Sequence, residues 1–232
     1  MPSIIFPLEI EEKILDLLAE DDDGHSALKT CSLVCQAFLP LCRKHIFRSI
    51  ALVSSHNTHL FERLLRETLK RISRLESLTF HQSKLPKVDW SDNPIRPALL
   101  HLLHLPTLTH FTMTNINNFL VSDLIPCINL KYLEVGVYTS VAAENIFPAD
   151  RPEYSIQLKE FVAGTSLSTM KLCTARHPDG LPIIDLGSLS EIKVDLTDLN
   201  DRASQELLRR CHALTTAHIF CKWYLRRNHQ DF

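Results

Sequence analysis

Residues 6–50 read FPLEIEEKILDLLAEDDDGHSALKTCSLVCQAFLPLCRKHIFRSI, a pattern that predicts a short helical unit at the start of the chain. Pro7 suits the first turn of a helix, where its missing N–H is not needed. The apolar residues that follow recur at helical spacing and form one stripe; they are Ile10, Ile14, Leu17 and Leu18. The acidic run that ends at Gly24 is typical of a solvated loop, so the first helix ends before it.

Two more helices and a strand are expected in the rest of this stretch. Ser26 can cap a second helix over residues 27–34, because its hydroxyl can accept a hydrogen bond from a free backbone N–H. A third helix is expected over residues 35–44, and Pro40 should kink it or shift its start. Residues 46–50 alternate apolar and polar side chains, as a half-buried strand does.

The helical unit carries more apolar residues than its own core can use. Three short helices bury only a small core. The apolar residues include Phe6, Leu8, Ile10, Ile14, Leu15, Leu33, Val34 and Phe38. An apolar surplus on a small unit indicates a face that another protein covers.

A set of motifs within these residues carries a family resemblance. They are Phe6-Pro7, Glu9-Ile10, Ile14-Leu15, Leu28, Cys31-Ser32-Leu33-Val34-Cys35, Phe38, Arg43 and Ile46-Phe47. In this spacing they resemble an F-box, with Phe6 where Leu is usual and Arg43 near a position that is often aromatic. The alternative is an N-terminal helical cap for the domain that follows.

The resemblance implies docking on the Skp adaptor of a cullin-RING ubiquitin ligase. The F-box would make the adaptor contacts through residues of the first two helices and the start of the third. The implied adaptor-binding residues are Phe6, Pro7, Leu8, Ile10, Ile14, Leu33, Val34 and Phe38.

A Leu-x-x-φ-x-φ template, where φ is apolar, recurs through the rest of the chain. The matches begin at Leu75, Leu108, Leu130, Leu158, Leu189 and Leu214, which are separated by 33, 22, 28, 31 and 25 residues. Each match predicts a short strand whose φ residues point inward, and such strands stack into a parallel sheet covered by crossover segments. Short helices are expected over residues 98–105 and 118–125, and a longer one over residues 202–212.

The recurring unit resembles a degenerate leucine-rich repeat. A regular repeat carries Asn or Cys in the turn after the second φ, but those positions here hold Ser83, Ile116, Tyr138, Ser166, Thr197 and Lys222. The expected fold is therefore an α+β or α/β solenoid, with an F-box-like helical domain at residues 1–50 and an irregular repeat stack at residues 51–232. A generic α/β domain is the alternative. The pairing of F-box and repeats is similar to many fungal F-box proteins.

Period-two alternation places a second set of side chains on the outer face of the predicted sheet. These side chains mix hydroxyls, both signs of charge and an aromatic ring, which suits recognition of a protein target. The candidate target-binding residues are Thr112, Tyr132, Glu134, Glu160, Glu191, Lys193 and His218. Tyr132 is the strongest anchor candidate, because aromatic residues often dominate binding energy.

Composition excludes several functional classes. The formal net charge of −2 in 232 residues argues against a nucleic-acid binder, which would be basic. We expect neither a signal peptide nor a membrane span, because the start lacks a basic region with an apolar run and no apolar stretch is long enough. Seven cysteines without regular spacing then favour reduced thiols and a cytoplasmic or nuclear location.

The sequence predicts no catalytic, cofactor-binding or metal site. GxGxxG, GxxxxGK[ST] and GxSxG motifs are absent. Cys31, Cys35, Cys42 and His45 have some features of a zinc site, but they lie on helices whose apolar residues already form a core. We interpret the cysteines as buried free thiols.

These observations favour a non-enzymatic substrate receptor of an SCF-type ubiquitin ligase. Its partners would be the Skp adaptor, the cullin scaffold and an unidentified protein target, with no nucleic acid and no membrane. The alternative is a leucine-rich-repeat scaffold that acts outside any ligase. A small enzyme whose site the sequence does not reveal is a third, weaker hypothesis.

Overall fold

The structure is a computed structural model, and it describes residues 7–21, 23–34, 36–54, 72, 74–82, 89–93, 95–136, 138–142, 154–164, 167–196 and 201–221. The chain divides into two compact units, Met1–Ile50 and Ala51–Phe232. No helix in these ranges is long and apolar enough to cross a membrane.

The first unit consists of three helices, α1 (Leu8–Ala19), α2 (Gly24–Val34) and α3 (Phe38–Ile46). The prediction that Ser26 caps α2 is wrong, because the helix begins two residues earlier. Gly24 permits this start: a Cβ atom there would lie 1.9 Å from the carbonyl oxygen of Leu18 at the end of α1. The third helix begins at Phe38 and not at residue 35, so Pro40 lies in its first turn. Of the two expected effects of Pro40, a kink or a shifted start, the structure shows the shifted start.

A small core holds the three helices together. Leu15 of α1, Leu28 of α2 and Cys42 of α3 are buried against one another. Partly buried side chains pack around them; these are Leu18, Ala19, Cys31, Phe38, Leu41 and Ile46. Asp16 and His45 add a polar link between α1 and α3, with 2.9 Å between Asp16 Oδ1 and His45 Nε2.

A seven-stranded sheet with parallel register forms the centre of the second unit. Its order is β1-β2-β3-β4-β6-β8-β9. The strands are β1 (Ser49–Ser54), β2 (Ser77–Gln82), β3 (His110–Thr114), β4 (Tyr132–Val135), β6 (Glu160–Ala163), β8 (Glu191–Leu196) and β9 (Thr216–Cys221). Two further strands, β5 (Ile156–Gln157) and β7 (Ile184–Asp185), pair with each other in parallel.

Crossover segments between the strands contain the remaining helices. These are α4 (Arg96–Leu103), a 3-10 turn at Val121–Leu124, α5 (Leu167–Thr174) and α6 (Asp201–Arg210). The helix expected over residues 118–125 is therefore only a four-residue turn, and α5 and the β5–β7 pair were not predicted. Helices together with a seven-stranded parallel sheet agree with the expected α/β class.

A strand follows the leading leucine of each of the six matches of the leucine template. In five of the six, the apolar residues of the template are buried. The leading leucines Leu75, Leu108, Leu130, Leu158 and Leu189 are at most 1% exposed. The sixth match departs from the prediction, because Ile219 of β9 is 45% exposed although the template places it inward. Among the residues that the structure describes, β9 is an edge strand of the sheet and pairs only with β8.

The junction before each strand repeats the same hydrogen-bond pattern. The carbonyl oxygen of Glu76 accepts from the N–H groups of both Thr109 and His110, each at 2.9 Å. The carbonyl oxygens of Thr109, Lys131, Lys159 and Ser190 each accept a corresponding pair from the next unit. This recurrence keeps neighbouring strands in one register, with His110, Tyr132, Glu160, Glu191 and Thr216 side by side.

The turn after β3 contains the side-chain amide of Asn115, one residue before the position where the leucine template expects it. Ile116, the expected turn position, is buried and 1% exposed. Asn115 takes that role, with a positive φ of 63° and with Nδ2 donating to the carbonyl oxygen of Gln82 at 2.7 Å. Tyr138, the next expected position, is 70% exposed. Ser83, Ser166, Thr197 and Lys222 lie outside the described residues.

Candidate functional site

Two surfaces stand out, one in each unit, and each is described by itself. The large apolar residues that the helical unit exposes are Ile10, Ile14, Leu17, Leu33 and Val34, together called its apolar surface. The sheet face consists of His110, Thr112, Tyr132, Glu134, Glu160, Glu191, Lys193 and His218.

Five large aliphatic side chains of the helical unit are exposed. Ile10, Ile14 and Leu17 recur along α1 and are 45%, 52% and 61% exposed. Leu33 and Val34, at the end of α2, are 87% and 76% exposed. Burying such a side chain is worth about 1.5–3 kcal/mol, so a partner that covered this surface would gain substantial binding energy.

Most of the implied adaptor residues that the structure describes belong to this surface or lie next to it. Pro7 is exposed and precedes α1, Leu8 is the first residue of α1, and Phe6 lies outside the described residues. Phe38 differs, because its ring is partly buried against the Leu15–Leu28–Cys42 core. Leu17 was not among the predicted adaptor contacts, although it belongs to the apolar stripe that the sequence predicts for α1.

The sheet face follows from strand alternation and register. In β4, Leu133 and Val135 are fully buried, so Tyr132 and Glu134 point to the opposite side. Parallel pairing sets Tyr132 beside Glu160, and Glu134 beside Thr112. The same register continues to Glu191, Lys193 and His218. All seven predicted target-binding residues thus lie on one face.

One half of the sheet face is built around Tyr132 and Glu134. The Tyr132 hydroxyl donates to Glu134 Oε2 at 2.9 Å, and the Thr112 hydroxyl donates to the same oxygen at 3.3 Å. The ring of His110 stacks on Tyr132 with 5.5 Å between ring centroids. Burial, followed by the hydrogen bond to Glu134 and its charge, raises the pKa of Tyr132, so the hydroxyl keeps its proton and remains a donor.

The other half of the sheet face is an ion-pair network around Lys193. Its Nζ lies 2.8 Å from Glu160 Oε1 and 3.0 Å from Glu191 Oε1. His218 Nε2 lies 3.7 Å from the same Glu191 oxygen. Hydrogen bonds to Glu160 and then to Glu191 raise the pKa of Lys193. The ammonium group is therefore charged and already shared between two carboxylates.

Strand alternation also places His110 on the sheet face, although His110 was not among the candidate target-binding residues. Its contact with Tyr132 joins residues 22 positions apart in sequence, and only the strand register brings them together. The sequence indicates that His110 lies beside Tyr132, because each residue comes two positions after the leading leucine of its template match.

The buried thiols of Cys42 and Cys173 act as packing groups. Burial raises the pKa of Cys42 and raises that of Cys173 to about 12, which keeps both protonated and poorly nucleophilic. Within the ranges that the structure describes, no group of three or more His, Cys, Asp or Glu side chains could hold a metal ion. Cys35, one of the four residues considered for zinc, lies outside those ranges.

Comparison with known proteins leaves the two surfaces as the basis for any functional argument. No family model matches the chain, and no curated protein matches it.

Proposed function

We propose that the chain is the substrate-recognition subunit of an SCF-type E3 ubiquitin ligase. In this proposal the helical unit is an F-box that binds the Skp adaptor. The second unit is an irregular leucine-rich-repeat solenoid that binds a protein target. The observation that carries the proposal is the exposure of Ile10, Ile14, Leu33 and Val34, four positions that the F-box resemblance marks as adaptor contacts.

The small core of the helical unit supports this interpretation. Leu15, Leu28 and Cys42 satisfy the packing of the three helices, while larger aliphatic residues remain outside it. Leu33, at 87% exposure, is the most exposed of these aliphatic residues. Several exposed large apolar side chains on one small unit commonly mark an interaction site.

The recurring strand junctions support a repeat architecture for the second unit. Five successive carbonyl oxygens, from Glu76 to Ser190, each accept two N–H groups of the next unit. The units differ in length and in their turns, which fits degenerate repeats better than regular ones. A solenoid of this kind presents a sheet face to a target.

In this function the chain contributes no catalytic residue. The adaptor and cullin would bring a charged ubiquitin-conjugating enzyme near the bound target, and the rate gain would come from effective concentration. Such a ligase subunit would work in the cytoplasm or nucleus.

The decisive experiment is binding of purified Skp adaptor to the full chain. We expect Leu33→Asp combined with Val34→Asp to reduce binding at least about tenfold, because each buries a charge in an apolar interface. Ile128→Asp is the matched control, since Ile128 is 52% exposed but lies in the second unit. Adaptor binding that is absent in the wild-type chain, or equal in the double variant, would disprove the proposal. The chain would then be better described as a repeat scaffold outside any ligase.

A further inference from the structure

The sheet face carries an excess of negative charge that its own residues leave unneutralised. Glu134, Glu160 and Glu191 contribute three carboxylates, and Lys193 contributes one ammonium group. Lys193 pairs with Glu160 and Glu191. Glu134 forms no ion pair with any residue that the structure describes, and it accepts hydrogen bonds from the hydroxyls of Tyr132 and Thr112.

The two hydroxyls hold Glu134 in a defined orientation. Both donate to Oε2, which leaves Oε1 as the acceptor for an incoming donor. A carboxylate whose position is already fixed loses little side-chain entropy when a ligand binds. Glu134 is also only partly exposed, and charge-assisted hydrogen bonds are stronger where water is partly excluded.

An aromatic pair lies next to this carboxylate. The His110 and Tyr132 rings stack with an interplanar angle of 29°, and Tyr132 is hydrogen-bonded to Glu134. A carboxylate adjacent to flat aromatic surface suits the guanidinium group of arginine. That group is planar, binds carboxylates through paired donors and stacks on aromatic rings.

We propose that the sheet face binds an arginine-containing basic segment of a protein target, with the guanidinium group on Glu134 and against the Tyr132–His110 pair. The assignment of that segment to a ligase target rests on the proposed function. The binding itself does not depend on it. An acidic or phosphorylated segment is disfavoured, because Lys193 is already shared between Glu160 and Glu191.

The experiment measures fluorescence anisotropy of labelled peptides with the full chain. One peptide alternates arginine and serine, and the second replaces every arginine with citrulline, which is neutral but nearly identical in shape. A third alternates glutamate and serine. We expect the wild-type chain to bind the arginine peptide at least about tenfold more tightly than the citrulline peptide, and to bind the glutamate peptide more weakly still.

Variants then locate the contact. Glu134→Gln should weaken binding of the arginine peptide about tenfold, because one charge-assisted pair is lost. Glu20→Gln is the matched control: it removes the same charge from an exposed position at the end of α1 and should leave binding unchanged. Tyr132→Ala should weaken binding further than Tyr132→Phe, which keeps the ring. Circular dichroism confirms that each variant is folded.

Three outcomes would overturn the proposal: equal binding of the arginine and citrulline peptides, unchanged binding by folded Glu134→Gln, or tightest binding of the glutamate peptide. The peptide comparison uses only the wild-type chain, so it stands even where a variant fails to fold. The Leu33→Asp and Val34→Asp double variant should bind the arginine peptide normally, and Glu134→Gln should bind the adaptor normally. Failure of one proposal is thereby separated from failure of the other.

Discussion

The hydroxyl group of Tyr132 donates a hydrogen bond to Glu134 Oε2 over 2.9 Å, and both residues lie on the same face of one strand. Burial and the neighbouring Glu134 raise the pKa of Tyr132, and ion pairing raises that of Lys193. In both cases the folded chain holds the proton more tightly than the unfolded chain does. The stabilisation is therefore complete below the unfolded pKa values and is lost as the pH rises through the folded ones.

We expect the free energy of unfolding to fall as the pH rises above about 10, where unfolded tyrosine and lysine begin to lose protons. Tyr132→Phe should flatten this alkaline decline, because the variant has no hydroxyl to titrate. The measurement is the urea midpoint as a function of pH for both proteins. Tyr138→Phe is the matched control, since it makes the same chemical change at a position that is 70% exposed. Parallel curves of urea midpoint against pH for wild type and Tyr132→Phe would contradict the raised pKa of Tyr132.

Removing the positive charge at Lys193 should strengthen the binding of a basic peptide. Lys193→Gln leaves Glu160 and Glu191 without the ammonium group that they share, so the negative charge of the sheet face increases. We expect tighter binding of the arginine peptide in the anisotropy assay, with a steeper dependence on salt. Lys29→Gln makes the same charge change at an exposed position of α2. This control should not strengthen binding of the arginine peptide as Lys193→Gln does. A loss of affinity in Lys193→Gln would instead indicate a ligand that needs the ammonium group.

Gly136 is required because the chain passes close to Thr114 of the neighbouring strand. A Cβ atom at Gly136 would lie 2.2 Å from Thr114 Cγ2, while the Gly136 N–H donates to the carbonyl oxygen of Met113 at 2.8 Å. We expect Gly136→Ala to lower the free energy of unfolding by about 1–3 kcal/mol, as overpacking does.

The control for this prediction is a second substitution that removes the clashing methyl group. Thr114→Ser deletes Cγ2 and keeps the hydroxyl that contacts His81. The double variant Gly136→Ala with Thr114→Ser should recover part of the lost stability in urea unfolding. Equal destabilisation with and without Thr114→Ser would show that another contact makes the glycine necessary.

Asn115 combines a left-handed backbone with a side-chain hydrogen bond, and substitutions can separate the two. Asn115→Gly keeps the backbone free to adopt its φ of 63° but loses the bond to the Gln82 carbonyl oxygen. Asn115→Ala loses the bond and also strains the backbone. We expect Asn115→Ala to cost about 1–3 kcal/mol in urea unfolding and Asn115→Gly to cost less. The reverse order would mean that backbone strain is not stored at this turn.

Local patterns predicted the strands better than the turns. Leu75, Leu108 and their counterparts located six of the seven strands of the main sheet, because a strand buried on one face must alternate apolar side chains. Asn115 was missed because the turn residue lies one position before the template expects it, and Ile116 is core instead. The start of α2 depended on the contact of Gly24 with Leu18, which only the packed structure shows.

The members of the sheet face were predictable, but most of their partners were not. Tyr132 and Glu134 are two positions apart on one strand, so their common face follows from alternation. The Lys193–Glu160 pair joins residues 33 positions apart, and its geometry follows from the register of neighbouring strands. The register aligns equal positions of the template matches, but the side-chain positions that form the ion pair are shown only by the folded structure.

The structure separates Phe38 from the other implied adaptor contacts, and stability measurements can test that separation. Phe38 packs against Leu15, Leu28 and Cys42, so Phe38→Ala should destabilise the helical unit by about 2 kcal/mol or more. Leu33 is 87% exposed, so Leu33→Ala should change its stability by less than about 0.5 kcal/mol. Hydrogen exchange of the α2 and α3 amides reports this unit directly. If Phe38→Ala left that exchange unchanged and weakened only adaptor binding, Phe38 would belong to the adaptor surface and not to the core.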